Sequence, residues 1–172
     1  GQALRHGIAF VAMVVLAQLT PRQYLVWTPW LYVGTVLLLI AVLLFGQEGK
    51  GAQRWIALGG LNFQPSEIAK VTVPMMVAYY LSDRPLPPGL KGVVFCGGLV
   101  VFPVLLIARQ PDLGTALLIA CSGFFVLFIA GVAWKVMLFG AMLLAAITPV
   151  AWSLMHDYQR SRVITFFDPE QD

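Results

Sequence analysis

Residues 27–45 read WTPWLYVGTVLLLIAVLLF, 19 residues without a charged side chain. At about 1.5 Å of rise per residue such a helix is ~28 Å long, close to the ~30 Å of a bilayer's hydrocarbon core. One stretch of this kind could still be the central helix of a soluble domain. The rest of the chain excludes that, because apolar windows recur at 7–19, 68–81, 92–107, 113–132 and 136–155, making six candidate spans in 172 residues. The windows at 7–19 and 68–81 are short, and reach span length only if flanking polar side chains snorkel or line a protein interior. The predicted fold is all-α, a polytopic transmembrane helical bundle forming a single transmembrane domain over 1–172.

Composition agrees. The chain is 59% hydrophobic and 11% charged, with a mean hydropathy of +0.83, where a soluble domain carries about 25% charged residues. Its net charge of +3 is spread along the sequence rather than gathered on one stripe, which argues against a nucleic-acid partner. Cys96 and Cys121 lie inside apolar runs and read as small buried hydrophobes, not as a disulfide or metal pair. His6 and His156 stand alone near span ends, and no phosphate loop, zinc motif or serine–histidine–acid arrangement is present. Gly97-Gly98 reads as a site of close helix packing. The sequence opens at Gly1 without a leader and is expected to be a segment of a longer protein, incomplete at both ends.

The polar stretches between spans are 21–23, 46–64, 82–91 and 109–112, the second being the richest. Alternating spans sort the basic residues onto two faces. One receives Arg22, Arg84, Lys91 and Lys135; the other receives Arg5, Lys50, Arg54, Arg109, Arg160 and Arg162. Counting positive charge would place the second face in the cytoplasm.

Three charged residues fall where an apolar helix should not carry them: Glu67, Lys70 and Asp112. Each costs about 2.5–3.5 kcal/mol on insertion scales and calls for a partner. Glu67 and Lys70 are three apart, within ion-pair reach on one helix face. The helices at 65 and 112 begin alike, Gln64-Pro65-Ser66-Glu67 and Gln110-Pro111-Asp112, with proline suited to the first turn and acid suited to the positive helix end. Ser66, Glu67 and Asp112 can therefore be read as capping residues. Lys70 cannot, since a lysine one turn into a helix caps nothing and opposes the dipole, and it is expected to be the most sensitive residue in the chain. Two helix N-termini at one membrane face, together with Arg54, Lys70 and Arg109, would attract an anion such as a phosphate-bearing lipid.

The motifs Lys50-Gly51-Ala52-Gln53-Arg54-Trp55, Phe63-Gln64-Pro65-Ser66-Glu67-Ile68-Ala69-Lys70, Gln110-Pro111-Asp112-Leu113-Gly114-Thr115 and Met155-His156-Asp157-Tyr158-Gln159-Arg160 resemble the SEDS family (shape, elongation, division and sporulation) of bacterial membrane proteins, the RodA/FtsW family, and within it the RodA type. The resemblance runs over essentially the whole chain. It implies a ten-helix peptidoglycan glycosyltransferase of the bacterial inner membrane that polymerises lipid II into glycan strands for cell elongation and rod shape. The implied partners are lipid II, undecaprenyl pyrophosphate, a class B penicillin-binding protein transpeptidase and other elongation-complex proteins. By that match the chain covers the second to seventh helices, with the Arg54, Lys70 and Arg109 face in the periplasm, against the charge count. Glu67, Lys70 and Asp112 then correspond to a polar network lining a central cavity, and Arg54 and Gln64 to substrate-binding positions above it. The family's essential aspartate is expected beyond Asp172. Asp157, Asp168 and Asp172 do not match its motif, so no catalytic base is assigned. No residue pattern assigns a cofactor, and the leaving pyrophosphate leaves a place for a divalent cation, Mg or Mn.

Two rivals remain at this point. Intramembrane carboxylate–lysine pairs also mark transporters, so a lipid II flippase fits the same residues. A non-catalytic scaffold for wall synthesis is the third reading.

Overall fold

The computed structural model describes residues 2–45, 47–49, 52–58, 61–110, 112–142 and 146, with the side chains at 2–5, 8, 9, 12 and 47–62 outside that description. Helix α1 spans Gln2–Ala17 and α2 spans Pro21–Phe45. The start of α2 has one half of a capping box: Pro21 opens the first turn and the Gln23 side chain accepts from the Thr20 amide at 2.7 Å. The Tyr24 hydroxyl donates back to the Leu16 carbonyl, tying α1 to α2.

Strands β1 (Gln47–Gly49), β2 (Ala52–Leu58) and β3 (Leu61–Phe63) follow, forming an antiparallel meander in the order β1-β2-β3. The polar composition of 46–64 predicts a loop, and three strands stand there instead; their signal in the sequence is Gly59-Gly60, two residues that suit a tight hairpin turn, between the paired Leu58 and Leu61. The sheet rests on the helix ends, with β2 against α2 and α3.

Helices α3 (Pro65–Ser82), α4 (Leu90–Arg109) and α5 (Leu113–Ile129) complete the bundle, and residues 134–142 are again helical. α3 is central, packed against α2, α4 and α5. The buried positions explain why. On α2 they are Thr28, Tyr32, Thr35, Leu39 and Val42, a stripe with alternating steps of four and three residues, the spacing of a left-handed helix seam. α3 turns a broader face inward, with Ala69, Thr72, Val73, Val77 and Leu81 buried. On α4 the buried residues include Cys96, Val100 and Ile107; on α5 they include Ala116, Ile119 and Gly123.

The outer surface is what sets this bundle apart from a soluble one. Trp30 is 78% exposed, Phe45 84% and Ile129 82%, with Val94, Leu105, Leu117 and Phe125 also facing outward. Water would not tolerate such a surface, whereas hydrocarbon does. α2, with 25 residues, and α4, with 20, are long and apolar enough to cross a bilayer; α5 is as apolar with 17. The helical membrane bundle expected from the sequence is the fold observed. The described part of the window at 136–155 is helical, and its remainder lies outside the described residues.

The helix ends sort as alternation requires. At one end lie the close of α2, the sheet, the starts of α3 and α5 and Arg109. At the other, the segments after α3 and α5 adjoin: Gly131, at φ +83°, sits where an added Cβ would be 3.6 Å from Pro87. Arg84 closes that end of α3, its Nε donating to the Tyr80 carbonyl at 3.0 Å and its guanidinium lying 4.0 Å from the centre of the Tyr80 ring.

Candidate functional site: the paired helix starts

The two helix starts singled out from sequence meet in space. Gln64, extended at the N-cap of α3, donates from Nε2 to Ser66 Oγ at 2.9 Å and to Asp112 Oδ2 at 3.1 Å. Asp112 is the N-cap of α5, and its Oδ1 accepts from the Thr115 amide at 3.4 Å. One carboxylate therefore serves both helices, 48 positions apart in the chain. Ser66 and Asp112 are buried, the latter with 9% of its surface exposed.

Gln110, the C-cap of α4, is almost fully buried and donates from Nε2 to the Leu39 carbonyl on α2 at 2.9 Å. The Gln110-Pro111-Asp112 corner is thus anchored on both sides, to α2 through Gln110 and to α3 through Asp112. In the sequence Gln110 stands out only as part of a motif; its further signal is a glutamine directly after a 20-residue apolar helix, a position where burial demands a partner.

Lys70 pairs with Glu67, Nζ to Oε2, at 2.6 Å. The pair lies on the outer side of this cluster, with the Lys70 side chain 30% exposed and that of Glu67 57% exposed. The structure thus resolves the expected trio into two units: an open Glu67–Lys70 ion pair on α3, and a buried Gln64–Asp112 link between α3 and α5. Pro74 deprives the Lys70 carbonyl of its helical donor, so a polar backbone atom accompanies the ammonium group on this turn.

Arg109 is exposed in the last turn of α4, at the same end and beside the helix's negative pole. Arg54 lies on β2, with its side chain outside the described residues; Pro111, His156, Asp157, Arg160, Arg162, Asp168 and Asp172 also lie outside them. Among the described residues no three His, Cys, Asp or Glu side chains converge. Two helix starts, the Lys70 ammonium paired with Glu67, and Arg109 thus share this end, groups of the kind that bind anions.

The chain is 50% identical over 167 residues to the peptidoglycan glycosyltransferase MrdB of Escherichia coli K12, covering 96% of this chain and 45% of that protein. It is 35% identical over 182 residues to a probable peptidoglycan glycosyltransferase FtsW of Aromatoleum aromaticum, covering 98% and 43%. It therefore spans a little under half the length of these curated relatives. Among solved structures, a chain from a peptidoglycan synthase complex that coordinates polymerization and crosslinking superposes with a TM-score of 0.84 at 35% identity, covering 99% of this chain and 51% of that one. The rod shape determining protein RodA of Thermus thermophilus superposes with a TM-score of 0.73 at 34% identity, covering 85% and 48%. The sequence profile of the FtsW, RodA and SpoVE cell cycle proteins matches residues 1–172, and the chain belongs to that family.

Proposed function

We propose that this protein is a peptidoglycan glycosyltransferase of the bacterial inner membrane, polymerising lipid II for cell elongation. The observation that carries the reading is the half-identical relative bearing that activity in its name, matched over nearly all of this chain. The geometry adds what these residues would contribute. In the reaction, a sugar hydroxyl attacks the anomeric carbon of a lipid-linked glycan, the bond to undecaprenyl pyrophosphate breaks, and the hydroxyl proton passes to a base. In this reading no described residue is taken as that base. The paired starts of α3 and α5, with Lys70, Arg54 and Arg109 at the same end, suit the departing pyrophosphate, whose charge grows as the bond breaks. Glu67 holds the Lys70 ammonium in place until a phosphate competes for it. A transpeptidase of the class B penicillin-binding type is the proposed partner, in keeping with the synthase complex that supplied a structural neighbour.

Purified full-length protein given lipid II in liposomes is expected to form glycan polymer. Lipid II redistributed between leaflets without polymer would instead establish the flippase reading. Orientation can be checked separately. A single cysteine at position 109 is expected to react with an impermeant reagent from the periplasm, and one at position 135 only after the inner membrane is opened. The reverse pattern would remove the pyrophosphate site, because lipid-linked glycan is polymerised outside the membrane in this reading.

A further inference from the structure

Helix α4 carries Pro103 in its buried interior. Proline has no amide hydrogen, so the carbonyl four residues earlier, that of Leu99, loses its helical donor. The hydroxyl of Tyr32, buried on α2, donates to that carbonyl at 2.8 Å. Inside a bilayer water is scarce, and a side chain from a neighbouring helix can take the place of the missing bond. Among the described residues, Leu99 is the one carbonyl freed by an internal proline that a side chain from another helix meets; those freed by Pro29 and Pro74 belong to Leu25 and Lys70. Two turns along α2 from Tyr32, the Leu39 carbonyl takes the bond from Gln110. α2 therefore holds α4 at two points, one on either side of Pro103.

We infer that Tyr32 and Pro103 form a latched joint in α4, whose release loosens residues 104–110 against α2 while Gln110 keeps its bond to the Leu39 carbonyl. The joint is the proline, where the helix lacks one of its own bonds. The latch is the Tyr32 hydroxyl. The inference stands on this geometry and does not depend on the polymerase reading.

The test is a double-mutant cycle of Tyr32→Phe and Pro103→Ala in full-length protein in nanodiscs, followed by amide hydrogen exchange and thermal melting. Tyr32→Phe is expected to speed exchange over 104–110 about five- to tenfold while leaving 116–123 unchanged. In the Pro103→Ala background the restored amide serves Leu99, and the same substitution should then change exchange less than twofold. Equal acceleration in both backgrounds, or none in either, overturns the latch. If Pro103→Ala does not fold, Tyr32→Phe alone decides, since acceleration spread evenly over all helices, or absent from 104–110, also overturns it.

Discussion

Asp112→Ala is expected to be the most damaging substitution at the paired helix starts, lowering stability by about 1–3 kcal/mol. Two losses combine. The cap bond to the Thr115 amide is long at 3.4 Å and contributes little. The larger share comes from Gln64, whose Nε2 would lose the acceptor that joins α3 to α5, since leaving a part-buried donor unpaired costs about 1–3 kcal/mol. Asp112 also makes contacts beyond these two, which adds to the loss. Asp112→Asn keeps a carbonyl oxygen for Gln64 or for the cap and should be milder in melting temperature. Lys70→Met breaks an ion pair open to the surroundings and should cost only about 0–1 kcal/mol of stability, so a strong effect of Lys70→Met on polymerisation would have to be chemical. Melting and polymerisation measured side by side on full-length protein separate these cases. If Asp112→Ala melts like the parent, the link is not what holds the two helix starts together.

Gly123→Val should be comparably harmful for a different reason. At Gly123 α5 lies close against Val100 of α4, and a Cβ built there overlaps the side chain of Val100, lying 3.0 Å from Cγ1 and nearer still to Cγ2. Valine's branched methyls sit close to its own backbone and cannot swing clear, so the two helices must separate. Overpacking of this kind costs about 1–3 kcal/mol. The companion Val100→Ala opens the space, and the double variant is expected to recover at least half of the lost melting temperature in full-length protein. Without recovery, the damage would not arise at the Gly123–Val100 contact.

The membrane class, the helix positions and the two-face alternation were legible in the linear sequence, because each depends on a property read along the chain. Length and hydropathy decide whether a segment crosses hydrocarbon, and the order of segments decides which loops share a face. The likeness of Gln64-Pro65 to Gln110-Pro111 marked both helix starts for the same reason: N-terminal capping is local chemistry. The hairpins at 47–63 were partly legible in Gly59-Gly60 but were masked by the polar composition around them.

What the tertiary structure alone decided is which polar group answers which. Lys70 keeps the partner its spacing on α3 offered, Glu67, while Asp112, which chemistry alone would equally have offered to Lys70, is met by Gln64 across the α3–α5 contact. Tyr32 looked like one more aromatic in an apolar span, and its role appears only when α4 brings up a carbonyl 67 positions away that Pro103 has freed. Gln110 finds its acceptor 71 positions back, at Leu39. Such pairings depend on the rotation and height of one helix against another. These are set by how whole faces of small and branched side chains interlock, Gly123 against Val100 among them, and no local pattern in the sequence encodes that fit.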